Sequence, residues 1–113
     1  MCPSRITIPR AIPIQHARNM AGMIKRAAED KPNAPWGTHE RASREHVMWM
    51  MDRVMFEMDD VSKMNRWIGW AQCCLANASV MTYGEIEQLV MDAYVYPTDF
   101  LNYRNARQES KDD

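Results

Sequence analysis

Val61-Ser62-Lys63-Met64-Asn65-Arg66-Trp67-Ile68-Gly69-Trp70-Ala71-Gln72-Cys73-Cys74-Leu75-Ala76-Asn77 is the stretch whose spacing decides the fold class. Met64, Trp67, Trp70, Ala71, Cys74 and Ala78 recur at three- and four-residue steps, the period of one helix face. Gly69 and Cys73 fall on a neighbouring side with little bulk, which suits close approach of another helix. The expectation is a helix over about 61–77 whose two tryptophans lie in the seam against a neighbour.

Upstream, Thr38 is a candidate N-cap with Glu40 set favourably against the helix dipole. No Pro or Gly then follows until Gly69. An unbroken helix from 39 to 78 would be roughly 60 Å long, more than a compact chain of this size can bury. A break is therefore expected at Asp59-Asp60-Val61-Ser62, after a second helix ending near Met58, with Ser62 capping the next. The two helices then form an αα-hairpin. The second of the chain's helices is apolar on nearly every side, through Val47-Met48-Trp49-Met50-Met51 and then Val54, Met55, Phe56 and Met58. Six of the eleven methionines fall between 48 and 64. A helix apolar all round needs cover all round, and Met-rich faces suit adaptable contacts. Met48, Met51, Met55 and Phe56 are accordingly candidates for an interface with a second copy or another protein.

The flanks are also helical. Ile14 to about Asp30 places Met20, Met23, Ile24, Ala27 and Ala28 on one face and Arg18, Lys25 and Arg26 away from it. Lys31-Pro32-Asn33-Ala34-Pro35-Trp36-Gly37 is a linker. Thr82-Tyr83-Gly84-Glu85 has the capping-box pattern and opens a helix to about Val95, with Tyr83, Ile86, Leu89, Val90, Ala93 and Tyr94 facing inward. Tyr96-Pro97 ends it, and a short helix within Thr98 to Arg107 is expected. The fold class is all-α, a small helical bundle built around an αα-hairpin with an extended N-terminal arm. The expected organisation is an extended basic arm at 1–13, a single helical domain at 14–107 and a flexible acidic tail at 108–113.

Composition agrees with one globular domain: 113 residues, 46% hydrophobic and 26% charged, with a net charge of −1. Near-neutral charge argues against an acidic nucleic-acid mimic and against a uniformly basic coat. Charge is uneven, since residues 1–31 carry six basic and two acidic side chains, net +4. No apolar run spans a bilayer and no secretory signal opens the chain, so a membrane partner is not expected. Three cysteines, two of them adjacent at Cys73 and Cys74, suit a reducing cytoplasm and small packing roles.

Glu45-His46-x-x-Trp49-Met50 followed by Lys63-Met64-Asn65-Arg66-Trp67-Ile68-Gly69-Trp70-x-Gln72, Leu75 and Thr82 resembles a group of small phage-encoded helical proteins. They share a His-x-x-Trp-Met element, an Arg-Trp-Leu/Ile-Gly-aromatic-x-Gln element and a Thr-led helix. The likeness covers about residues 45–90. It implies a helical fold and a cytoplasmic setting in an infected bacterial cell, and the group brings no activity with it.

His46, Trp49, Arg66, Trp67 and Gln72 form the candidate polar cluster. As a recognition cluster they would meet a partner; as packing they would form the hairpin seam, the reading preferred because Trp at helical spacing is more often core. Arg66 can stack on Trp70 or pair with Asp59 or Asp60. Catalytic and metal patterns are absent from the sequence: no phosphate-cradling glycine loop, no nucleophile elbow and no His-Glu-x-x-His. His39 and His46 lie roughly 10 Å apart along a helix, too far to share a metal. No cofactor is expected, and an enzyme is not. The leading expectation is action through protein–protein contact, with a host or phage protein or with a second copy. Contact with nucleic acid through Arg5, Arg10, Arg18, Lys25 and Arg26, with Trp36 as a stacking residue, is the second.

Overall fold

A computed structural model describes residues 12–95. It consists of four α-helices, α1 (Pro13–Asp30), α2 (Arg44–Phe56), α3 (Val61–Asn77) and α4 (Tyr83–Val95), with one 3-10 turn at Glu40–Ala42 before α2. No strand occurs among the described residues. The expected arm before Ile12, the short helix within Thr98 to Arg107 and the acidic tail lie outside them, as do Arg5 and Arg10.

Helix α1 is the element on which the others pack, and it touches α2, α3 and α4. Its start follows from Pro13 in the first turn, where a missing N–H costs nothing. Two adjacent stripes are buried. Ala17, Met20, Ala21, Ile24 and Ala28 form one, and His16, Asn19 and Met23 form the other. The sequence pointed to a single inward face; contact with three neighbours explains the wider one. At the end of α1, Arg44 donates from Nε to the Ala28 carbonyl at 2.8 Å and from Nη2 to that of Glu29 at 3.3 Å. A cation on the last carbonyls answers both their missing partners and the helix dipole.

The start of α2 differs from the Thr38 expectation. Ser43 is the cap, its hydroxyl accepting from the His46 N–H at 3.2 Å. Residues 38–43 instead form the tight 3-10 approach, in which a Cβ on Gly37 would come within 2.7 Å of the Ala42 Cβ. Trp36 packs against the core and donates from Nε1 to the Lys31 carbonyl at 2.9 Å. It closes the linker and is not a free stacking platform.

The break between α2 and α3 falls at residues 57–60. Asp60 and not Ser62 caps α3, accepting from the Lys63 N–H at 3.3 Å. Helices α2 and α3 touch each other, and both also lean on α1. The α3–α4 turn is a Schellman motif: Val80 N–H donates to the Leu75 carbonyl at 2.9 Å and Ser79 N–H to that of Ala76 at 3.1 Å. Ser79 therefore sits at φ 57°, the left-handed region that glycine enters most cheaply. The expected capping box then opens α4. Thr82 N–H donates to Glu85 Oε1 at 2.9 Å, and Glu85 N–H to Thr82 Oγ1 at 3.1 Å.

The interface expectation for α2 is corrected in part. Val47, Met50, Met51, Val54 and Met55 form its core stripe, with Met51 at 0% and Met55 at 6% exposure. Helices α1 and α3 supply the cover that an all-round apolar helix requires. Met48 is half-buried and Phe56 is exposed, so only these two of the four candidates remain at the surface.

Two outcomes are expected. Met51→Glu buries an unpaired carboxylate at a cost of several kcal/mol, against a total stability of about 5–15 kcal/mol. It should abolish cooperative thermal unfolding followed by circular dichroism, whereas Phe56→Glu should leave the midpoint nearly unchanged. Ser79→Gly should raise stability by about 0.5–1 kcal/mol, read as a higher denaturant midpoint at constant slope.

Candidate functional site

Two helices each present a second stripe at helical spacing, distinct from the one they bury. On α2 it is His46, Trp49 and Arg53, bordered by Met50 of the core stripe; on α3 it is Lys63, Arg66, Trp67 and Trp70. The stripes meet around an open cleft of about 430 Å³ lined by Arg41, His46, Trp49, Met50, Arg66, Trp67 and Trp70. Arg41 reaches it from the 3-10 turn.

Trp70 is fixed by its indole N–H, which donates to the Arg41 carbonyl at 2.9 Å and ties α3 to the approach of α2. Trp49 and Trp67 lie with ring centroids 5.9 Å apart at 30°. His46 stacks on Trp49 at 5.5 Å, and the Arg53 guanidinium sits 5.2 Å from the same ring. The Lys63 ammonium is 5.4 Å from the Trp67 ring. Cations over indole faces contribute about 0.5–1 kcal/mol each at exposed sites. Even so Trp49 and Trp70 remain 49% and 46% exposed. Two half-open tryptophans lining one cleft are a concentrated apolar surface with polar edges.

Of the expected cluster, His46, Trp49, Arg66 and Trp67 come together, and Gln72 is not part of the cleft. The seam expectation is corrected as well. The buried face of α3 is Met64, Ile68, Ala71, Cys74 and Leu75, about one residue round from the face that carries the tryptophans. Gly69 would meet nothing within 4 Å on gaining a Cβ, so it does not admit a close neighbour. Arg41, Met50 and Trp70 were missed as site residues, as were Arg53 and Lys63 over the rings. The shared i, i+3, i+4, i+7 spacing in both helices is the signal that links all but Arg41.

The basic residues divide sharply. Lys25 pairs with Asp52 at 2.6 Å, Arg26 with Asp30 at 3.6 Å and Arg53 with Glu57 at 3.5 Å. Arg18 donates to the Met58 carbonyl at 3.2 Å, while its Nε is buried without an acceptor among the described residues. Arg44 is spent on the end of α1. The guanidinium groups of Arg41 and Arg66 have no ion pair or hydrogen bond among the described residues. Arg18, Lys25 and Arg26 thus do not make the free basic face expected of nucleic-acid contacts.

No group of three metal-ligating side chains occurs among the described residues, and no described helix is long and apolar enough to cross a membrane. Cys73 is exposed and Cys74 buried. Burial pushes the Cys74 thiol up, and the adjacent Cys73 adds to the shift. Compared with known proteins, the chain matches no family model, no curated protein and no solved structure.

The two thiols should behave differently. A thiol raised in the folded state holds its proton after the unfolded chain has lost it, so its contribution to stability is complete below about pH 8 and is lost as pH rises beyond. Cys74→Ala should flatten that alkaline decline. In native alkylation near pH 8, peptide mapping should find Cys73 modified well before Cys74.

Proposed function

We propose that this chain is a small interaction module that works by seating a segment of another protein in the Arg41–His46–Trp49–Arg66–Trp67–Trp70 cleft. The observation that carries the proposal is the pairing of half-exposed tryptophans with arginines left without partners. Trp and Arg are the residues that dominate binding energy at protein interfaces, because each joins a large contact area to a directed polar group. His46, Trp49 and Met50 of the phage-like His-x-x-Trp-Met element and Arg66, Trp67 and Trp70 of the Arg-Trp-Ile-Gly-Trp-x-Gln element also line the cleft, whereas Ile68, Gly69 and Gln72 do not. That likeness supplies the setting, a bacterial cell under infection, in which a host enzyme, a defence protein or a phage replication protein is the partner.

A nucleic-acid role is the less favoured reading, for a stated reason. Single strands are held by aromatic faces open to stacking and by a basic track. In the cleft the Trp49 ring already carries His46 and Arg53, and the Trp67 ring carries Lys63. The adjoining segments bear Glu40, Glu45, Glu57, Asp59 and Asp60, so the two arginines do not continue into the basic track that a phosphate backbone follows.

Capture from infected-cell lysate by the tagged chain, compared with Trp49→Ala and Trp70→Ala, tests the proposal. Each variant should weaken partner retention by about thirtyfold, equivalent to about 2 kcal/mol, while still unfolding cooperatively, with a midpoint lowered by no more than the several degrees that a lost contact of about 1 kcal/mol costs. Retention unchanged in both variants, or retention abolished by nuclease, overturns it.

A further inference from the structure

We infer that the cleft selects a carboxylate-bearing partner segment, with an acidic side chain held by Arg41 and Arg66 and a neighbouring apolar side chain laid on Trp70 and on the part of Trp49 that His46 and Arg53 leave exposed. This rests on the protein-docking function proposed above and specifies its ligand.

Charge complementarity carries the inference. Six arginines lie within residues 12–95, and four of them have an acceptor among the described residues: Arg18, Arg26, Arg44 and Arg53. The two that do not, Arg41 and Arg66, line the same cleft although they come from different elements and lie 25 positions apart. A guanidinium presents a planar fork of donors that matches a carboxylate, and such pairs are shorter and stronger than neutral hydrogen bonds. No acidic side chain lines the cleft to satisfy them from within.

The rest of the lining explains why the anion comes with an apolar neighbour. Indole rings with Met50 beside them give the cleft an apolar wall, and a bare anion would leave it wet. Burial of part of this wall by an aliphatic side chain also lowers the local dielectric, which strengthens the arginine–carboxylate attraction. The Trp70 N–H is committed to the Arg41 carbonyl. The Trp49 and Trp67 indole N–H groups have no acceptor among the described residues and are further donors for the ligand's backbone. A phosphodiester chain would use the same arginines, but it would need ring faces that His46, Arg53 and Lys63 already occupy.

Titration of the full chain, labelled with nitrogen-15, tests this. The probes are a peptide of alternating glutamate and leucine, its glutamine–leucine counterpart and an oligothymidylate. The glutamate peptide should shift the indole N–H signals of Trp49, Trp67 and Trp70 and leave that of Trp36 in place. The glutamine peptide should bind at least about tenfold more weakly, and added salt should weaken the glutamate peptide alone. Arg41→Gln and Arg66→Gln should each cost the glutamate peptide about tenfold while leaving glutamine-peptide binding and the thermal midpoint unchanged. Arg66→Lys should fall between, since it keeps charge and loses the fork.

Equal binding of the two peptides overturns carboxylate selection and leaves apolar docking intact. Absence of any indole shift with the glutamate peptide up to millimolar concentration overturns the inference, even where a lysate partner is still lost on Trp49→Ala. Preference for the oligothymidylate overturns both this inference and the docking function beneath it.

Discussion

His16 and Asn19 reach from α1 to α4, and the helix they anchor is held to the one on which every other helix packs. The His16 Nε2 donates to the Val90 carbonyl at 2.9 Å, and the Asn19 Nδ2 donates to that of Ala93 at 3.0 Å. Asn19 is almost completely buried, and its Oδ1 accepts from Gln15 at 3.0 Å. Ala93 lies in the last turn of α4, where helix carbonyls lack intrahelical partners. Leaving such a buried group unsatisfied costs about 1–3 kcal/mol. His16 also lies flat on Tyr94, ring centroids 3.6 Å apart. The two polar side chains therefore fix the register of α4 on α1 in a way that the surrounding alanines and methionines, which tolerate sliding, do not.

With α1 covered on several sides, the other helices have little choice of face. Helix α2 turns Val47, Met51 and Val54 to the core, and α3 turns Met64, Ile68 and Leu75. Each side chain buried at 0–2% exposure removes roughly 1.5–3 kcal/mol worth of apolar surface from water. The stripe next to the core on each helix is then left at its edge, where a side chain is half covered. That is where Trp49, Trp67 and Trp70 lie. The cleft is the border of the core, opened between α2 and α3 and lined by groups too large to be drawn fully inside.

Helix positions were legible in the sequence wherever a period or a cap spelled them out. The capping box at Thr82 and Glu85, the helix over 61–77 and the interruption near Asp59 all follow from local rules. The orientation of α3 was less legible, because Met64-x-x-Trp67-x-x-Trp70-Ala71 and Met64-x-x-x-Ile68-x-x-Ala71 are both helical stripes that share two residues, their centres only about fifty degrees apart at 3.6 residues per turn. Hydrophobicity alone favours the first. The structure buries the second, because Ile68 and Ala71 fit against closely packed helices while two indoles with N–H groups to satisfy do not. The same limit applies to α2. Its excess of methionine was read as exposure, but a helix between two neighbours needs that excess for cover. Pairings such as Lys25 with Asp52 arise from tertiary contact and leave no local trace.

On the docking function proposed above, the cleft is largely organised before a partner arrives. The indoles are held by contacts within the chain: Trp70 by the Arg41 carbonyl, Trp49 by His46 and Arg53, and Trp67 by Lys63 and Trp49. Ordering a rotamer-rich side chain on binding costs about 0.5–1.5 kcal/mol, so rings already held in place spare a ligand most of that cost. The arginines differ, since Arg41 and Arg66 have no ion pair or side-chain hydrogen bond among the described residues to order them. Pairing either with an acid of its own chain would have added about 0–1 kcal/mol of stability, the usual worth of an exposed ion pair. With no such partner among the described residues, they leave their donors available to the acidic ligand inferred above. A neutral segment would then gain only the apolar wall, whereas an acidic one also gains the two cations. On the inference above, the division of labour is between rings that supply contact and guanidinium groups that supply discrimination.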